Sequence, residues 1–143
     1  MIVLVVSDFH LGKGKFFKNG QINILEDFFE DDRFAEFTQY YSSGKNYSNN
    51  IHLILNGDIL NLIQIDIEGC FSHIIDEEAT IKALELIYAG HKGFFESLKL
   101  FLSAPNKKLT YVIGNHDIGM GFKGSQTRFK ELVGSENIDF CYD

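Results

Sequence analysis

The sequence predicts an α/β fold, a layered sheet of mostly parallel strands with helices, and three observations predict it. Short apolar runs alternate along the chain with longer segments whose apolar residues recur at helical spacing. Runs near residues 2 to 6, 51 to 55 and 109 to 113 each end abruptly in Asp, His or Asn. Composition is that of a globular chain: of 143 residues, 45% are hydrophobic and 23% charged, with one proline and no low-complexity stretch. Such a length is about one domain, long enough to bury a core.

The elements follow in order. Residues 2 to 6, Ile-Val-Leu-Val-Val, form a continuous β-branched and leucine run, the pattern of a strand covered on both faces. A Gly/Lys loop follows at 12 to 20. From 22 to 41, Ile22, Leu25, Phe28, Phe29, Phe34, Phe37, Tyr40 and Tyr41 fall mostly at helical spacing, and Ser42, Ser43 and Gly44 punctuate the end. The acidic run at 26 to 32 reads as the wet face of that helix. A second apolar run, 51 to 55, ends in Asn56-Gly57-Asp58. Segment 76 to 104 places Ile81, Leu84, Ile87, Tyr88, Phe94, Phe95, Leu98 and Phe101 on one stripe, interrupted near Gly90 and Gly93. Residues 109 to 113 make a third strand, 127 to 133 a short helix and 138 to 142 a fourth strand. The Phe-rich segments are expected in the core.

Charge narrows the function classes. A formal net charge of -7 opposes general adhesion to nucleic acid or to an acidic membrane, because phosphates would be repelled. A phosphate-bearing ligand would need local positive charge, which a bound metal can supply. The opening apolar run reaches Ser7 and Asp8 too soon for a signal peptide or a membrane span, so a cytoplasmic protein is expected. Cys70 and Cys141 are too few for a disulfide framework and are expected as buried thiols in a reducing compartment.

The polar strand ends carry the chemistry. In a parallel sheet the carboxyl ends of the strands lie along one edge, where ligands gather. Asp8 and His10, Asp58, and Asn115 with His116 and Asp117 can therefore meet although far apart in the chain. Two residues apart, Asp8 and His10 would point to the same side of an extended backbone and grip one ion. Asp8, Asp58 and Asp117 in one crevice would crowd negative charge unless protons or cations compensated it. Carboxylate, imidazole and amide oxygen together suit manganese, iron or zinc better than a thiolate cluster or an all-oxygen calcium cage. Each piece alone has a plainer reading. Asp-x-His recurs by chance, Gly57-Asp58 suits a turn, and Gly114-Asn115-His116-Asp117 can be a loop capping the segment after it. Their shared placement after strands is what joins them.

The succession Asp8-x-His10, Gly57-Asp58, Gly114-Asn115-His116-Asp117 resembles the N-terminal half of the calcineurin-like metallophosphoesterases, over nearly the whole chain. Ser7-Asp8-Phe9-His10-Leu11-Gly12 and Asn56-Gly57-Asp58-Ile59-Leu60 are also similar to the bacterial branch that includes UDP-2,3-diacylglucosamine hydrolases. The resemblance implies a metal-dependent hydrolase of phosphoesters or diphosphates, with two divalent ions (Mn2+, Fe2+ or Zn2+) and an activated water. Its substrate would be a phosphate-containing small molecule or lipid precursor. It implies Asp8 and His10 as ligands of one metal, Asp58 as a bridge and Asn115 as a ligand of the second. His116 would stabilise the phosphoryl group or protonate the leaving oxygen, with Asp117 as its orienting partner.

There are departures from the family pattern. Its members supply further histidines after this block, and none follows His116 here; His52, His73 and His91 are out of place and read as structural or solvent residues. Asn61 stands where many relatives carry a carboxylate. Gly12-Lys13-Gly14-Lys15 lacks P-loop spacing and reads as a solvated, flexible loop rather than a phosphate contact. Two accounts stay open. Residues 1 to 143 are the N-terminal part of a metallophosphoesterase domain whose C-terminal part carries the remaining histidine ligands, or the chain is a short relative that has lost full metal chemistry. Under the first, activity is complete only in a longer chain, and surface left open by the missing half would favour self-association. The competing function is a non-catalytic metallophosphoesterase-like interaction domain with weak or no metal binding.

Overall fold

The computed structural model describes residues 1–142. In chain order the elements are β1 (Ile2–Val6), α1 (Asp31–Ser42), β2 (Ile51–Asn56), β3 (Asp66–Ile67), β4 (Cys70–Phe71), α2 (Glu77–Gly90), α3 (Lys92–Ser103), β5 (Lys107–Ile113), α4 (Lys123–Val133) and β6 (Ile138–Tyr142). Four of the strands form one all-parallel sheet in the order β1-β2-β5-β6, and β3 pairs with β4 as a separate antiparallel ribbon. The α/β layering expected from the alternation is present; the small ribbon is an element that no apolar run announces.

The strand order advances without a reversal. Right-handed crossovers that always step the same way deliver their helices to one face of a sheet. On that face Leu53, Leu55, Leu109, Tyr111 and Ile138 are buried, and they join one core cluster with Phe34 of α1, Leu84 of α2, Phe94 and Leu98 of α3 and Phe129 of α4. The other face is bare. Val3 and Val5 are 48% and 58% exposed there, beside a solvent-facing Lys108 to Asp139 ion pair at 2.7 Å. The expectation that β1 is covered on both faces is therefore corrected: the strand lies at the sheet edge, and only Leu4 and Val6 pack on the core.

Helix boundaries carry further corrections. The helix expected from residue 22 begins only at Asp31, because the Leu25 and Phe28 amides go to side chains and the Asn23 amide to the carbonyl of Lys15. Asn23 Oδ1 accepts the Leu25 amide at 3.1 Å, and the Glu26 carboxylate accepts Phe28 N at 3.2 Å. Such local bonds compete with helix. The stripe at 76 to 104 is two helices, with Asp76 capping α2 through the Ala79 amide at 2.8 Å and His91 at the break. β5 starts at Lys107, whose buried ammonium donates to the carbonyls of Asn46, Tyr47, Asn49 and Pro105 at 2.7 to 3.2 Å. Cys70 and Cys141 are exposed, not buried, since one lies on the ribbon and the other on β6 of the open sheet. Among the described residues no helix is long and apolar enough to cross a membrane.

Candidate metal centre

The segments that leave β1 and β2 run side by side past the ends of the strands. Asp8 N donates to Gly57 O (3.2 Å), His10 N to Asp58 O (3.0 Å), Leu11 N to Ile59 O (2.9 Å) and Asn61 N to Leu11 O (3.0 Å). This lacing brings one ligand atom from each of Asp8, His10 and Asp58 within 4.8 Å of the others. All three residues have left-handed backbone, with φ of 58°, 52° and 52°. That conformation costs an L-residue about 1–2 kcal/mol. Among the described residues only Glu68 and Asn106 are other non-glycine residues so placed, so the strain is concentrated at this cluster. The expected extended geometry at Asp8 and His10 is corrected: they meet through a turn, not by strand alternation.

The turn after β5 presses on Asp58. Gly114 has no room for a Cβ, which would collide with Asp58 N and Oδ1, and His116 N donates to Asp58 Oδ1 at 2.9 Å. Asn115, between these two residues, is exposed. The His116 ring stands edge-on to His10 with centroids 4.5 Å apart. Its Nδ1 lies 2.9 Å from Asn61 Oδ1, while Asn61 Nδ2 donates to Gln64 Oε1 at 2.9 Å. With the amide so oriented, Nδ1 carries the ring proton and Nε2 is free.

Asp117 does not meet His116 in the way the resemblance implies. It is fully buried, and its oxygens accept Ile59 N (2.9 Å), Leu60 N (3.4 Å), Gly114 N (2.6 Å) and the Tyr111 hydroxyl (2.6 Å). It staples the β2 turn to the β5 turn. Burial, and then the Asp117 charge, push the Tyr111 phenol well up. The group beside His116 Nδ1 is instead Asn61, a contact that only its position three residues past Asp58 could have signalled.

A second polar cluster lies behind the loop at 12 to 15. The Glu26 side chain is completely buried and accepts Gly12 N at 2.9 Å and Gly14 N at 2.6 Å. His91 Nε2 sits 3.1 Å from Glu26 Oε1, poorly aligned for a hydrogen bond but close enough for charge pairing, and Nδ1 is 2.9 Å from Asp31 Oδ1. Burial alone would lower the imidazole pKa; Asp31 and Glu26 override it and raise it to about 9. Burial likewise opposes charge on Glu26, yet His91 and the glycine amides hold its carboxyl below the usual range. The wet helix face expected at 26 to 32 is thus corrected at Glu26, and the flexible loop is a fixed one, with Lys13 paired to Asp66 at 2.5 Å. His91 is structural as expected; His52 bonds Thr110 Oγ1 at 2.7 Å and His73 is exposed.

Two carboxylates and an imidazole, with an amide oxygen next in the adjoining turn, form a donor set that fits a borderline divalent cation. Comparison of the chain with protein-family models, with curated proteins and with solved structures finds no match.

Proposed function

We propose that the chain is a metallophosphoesterase, a metal-dependent hydrolase of phosphoesters or diphosphates. Asp8, His10, Asp58 and Asn115 serve as metal ligands and His116 as the catalytic side chain. The observation that carries this reading is the convergence of Asp8, His10 and Asp58 within 4.8 Å on left-handed backbone. Two carboxylates so close repel each other unless positive charge lies between them. Divalent cations held there would supply Lewis-acid charge at a phosphoryl oxygen and lower the pKa of the attacking water.

The side chains divide the remaining work. Asp58 keeps one oxygen on the His116 amide, which orients its carboxylate, and Asp8 and His10 approach from the neighbouring turn. His116 keeps its Nδ1 proton on Asn61, so Nε2 is the atom that contacts the phosphoryl group or gives a proton to the leaving oxygen. Asn61 fixes the tautomer without adding negative charge. Asp117 is a positioning residue that holds both turns in register.

A cleft of about 200 Å³, whose lining includes Leu62, Ile65, Ile75 and Gly119 and starts one residue past Asn61 in the chain, supports a substrate with an apolar portion, such as a lipid precursor. Exposed thiols at Cys70 and Cys141 are at home in a reducing compartment, which supports a cytoplasmic setting. The bare sheet face and the free edge of β1 support self-association.

The second reading, a non-catalytic domain with weak metal binding, is favoured by the exposure of Asp8 and Asn115 at the rim. Calorimetric titration with Mn2+, followed by hydrolysis of an aryl phosphodiester with and without the metal, separates the two. Binding that Asp58→Asn removes is expected, with turnover, in a chain that also carries the later histidines, that His116→Gln removes while binding survives. Binding without turnover in such a chain selects the second reading, and no binding overturns the metal centre.

A further inference from the structure

We infer that Glu26 and His91 are positioning residues of the metal centre, clamping the loop that follows His10 onto the joint between α2 and α3. The role rests on the metal reading above. A continuous path of contacts carries it. Gly12 lies two residues past His10, and Gly12 N and Gly14 N donate to different oxygens of Glu26, Oε1 at 2.9 Å and Oε2 at 2.6 Å. Behind the carboxylate stands His91, and behind His91 stands Asp31 at 2.9 Å. The path thus ends on α1 and on the helix joint, where the His91 side chain is 3% exposed.

Two features make this a clamp on the loop. A carboxylate is the one side-chain end that offers an acceptor to both amides at once; a glutamine would turn its NH2 against one of them. The loop also has no spare space. A Cβ on Gly12 would come within 2.8 Å of Glu26 Oε2, one on Gly14 within 2.8 Å of Gly90 Cα, and one on Gly90 would strike Lys13 O. Because His10 is left-handed, with φ of 52°, it relaxes if the chain after it is released. The clamp therefore keeps a strained ligand in place. Its negative charge, buried beneath the loop, requires the facing imidazolium.

Glu26→Gln tests this, with Mn2+ affinity by calorimetry, a thermal melt and amide exchange as readouts. A folded variant that binds Mn2+ about tenfold more weakly, with faster exchange at Gly12 and Gly14, is expected. Unchanged affinity in the folded variant overturns the role. Should Glu26→Gln not fold, Asp31→Asn takes its place. The charged groups facing His91 are Glu26 from the loop and Asp31 of α1, with Lys15 and Asp32 at the mouth of the same cleft. Removing the Asp31 charge loosens the hold on the His91 proton. The ratio of variant to parent affinity should then stay near one at about pH 6 and fall roughly threefold at about pH 8.5. A ratio equal at both pH values overturns the role. If the parent chain binds no Mn2+, the metal reading and this role fall together, while exchange at Gly12 and Gly14 still reports whether Glu26 holds the loop.

Discussion

Two clusters in this molecule have the same formal make-up, two carboxylates and one imidazole, yet opposite surroundings. Asp8, His10 and Asp58 sit at the rim of the strand ends with their ligand atoms within 4.8 Å. Glu26, His91 and Asp31 lie behind the loop, where the imidazole is 3% exposed and the Glu26 side chain not at all. The buried cluster is closed: backbone amides and an imidazolium with a pKa near 9 satisfy its negative charge. The rim cluster is less enclosed: Asp8 is exposed, His10 and Asp58 are half-buried, and the one protein hydrogen bond described to its carboxylates is that of the His116 amide on Asp58, all on left-handed backbone. Composition therefore does not distinguish the two clusters; what distinguishes them is how far the protein itself already answers their charges.

The contrast breaks most severely at His91. His91→Leu leaves Glu26 buried without its counter-charge and should cost about 3–5 kcal/mol in urea unfolding. A loss below about 1 kcal/mol would mean the pair is not ionic. Next comes pH. The folded pKa of His91 is raised from 6.5 to about 9, so its contribution is complete below pH 6.5 and is lost as pH climbs through 9, on the order of 3 kcal/mol in all. Glu26 runs the other way, since its lowered pKa gives stability above 4.5 that is lost in acid. An unfolding free energy that stayed flat as pH climbs through 9 would remove the buried imidazolium and with it the contrast between the clusters.

Smaller effects sharpen it. Asp58→Asn should weaken Mn2+ binding by at least about tenfold while moving the unfolding free energy by less than about 1 kcal/mol, since asparagine tolerates left-handed backbone. Asp8→Asn should stabilise the metal-free chain by about 0.5 kcal/mol through relief of carboxylate repulsion, seen as a higher thermal midpoint without metal. A lower midpoint would show that Asp8 supports the turn in some other way.

Much of the scaffold was legible in the sequence because the mostly apolar runs at 2 to 6, 51 to 55 and 109 to 113 lie within β1, β2 and β5 and stop at, or one residue short of, the ends of those strands. Spacing misled between 22 and 30, where Leu25 and Phe28 keep helical intervals while Asn23 and Glu26 take the amides a helix would need. The meeting of Asp8, His10 and Asp58 followed from the strand ends alone. Asn61 facing His116 and Glu26 facing His91 did not, because each contact joins residues of distant elements and no local periodicity encodes it. An acidic run also looks wet until its partner is known.

The unreversed order of the four parallel strands bears on how the chain is built. Every strand after the first finds its neighbour already made, so the sheet can lengthen by accretion in the direction of synthesis. No later segment has to be threaded between earlier ones. The rim then takes shape in stages as well: the Asp8 and His10 turn can be laced as soon as β2 docks, and His116 arrives last, onto a carboxylate already in position.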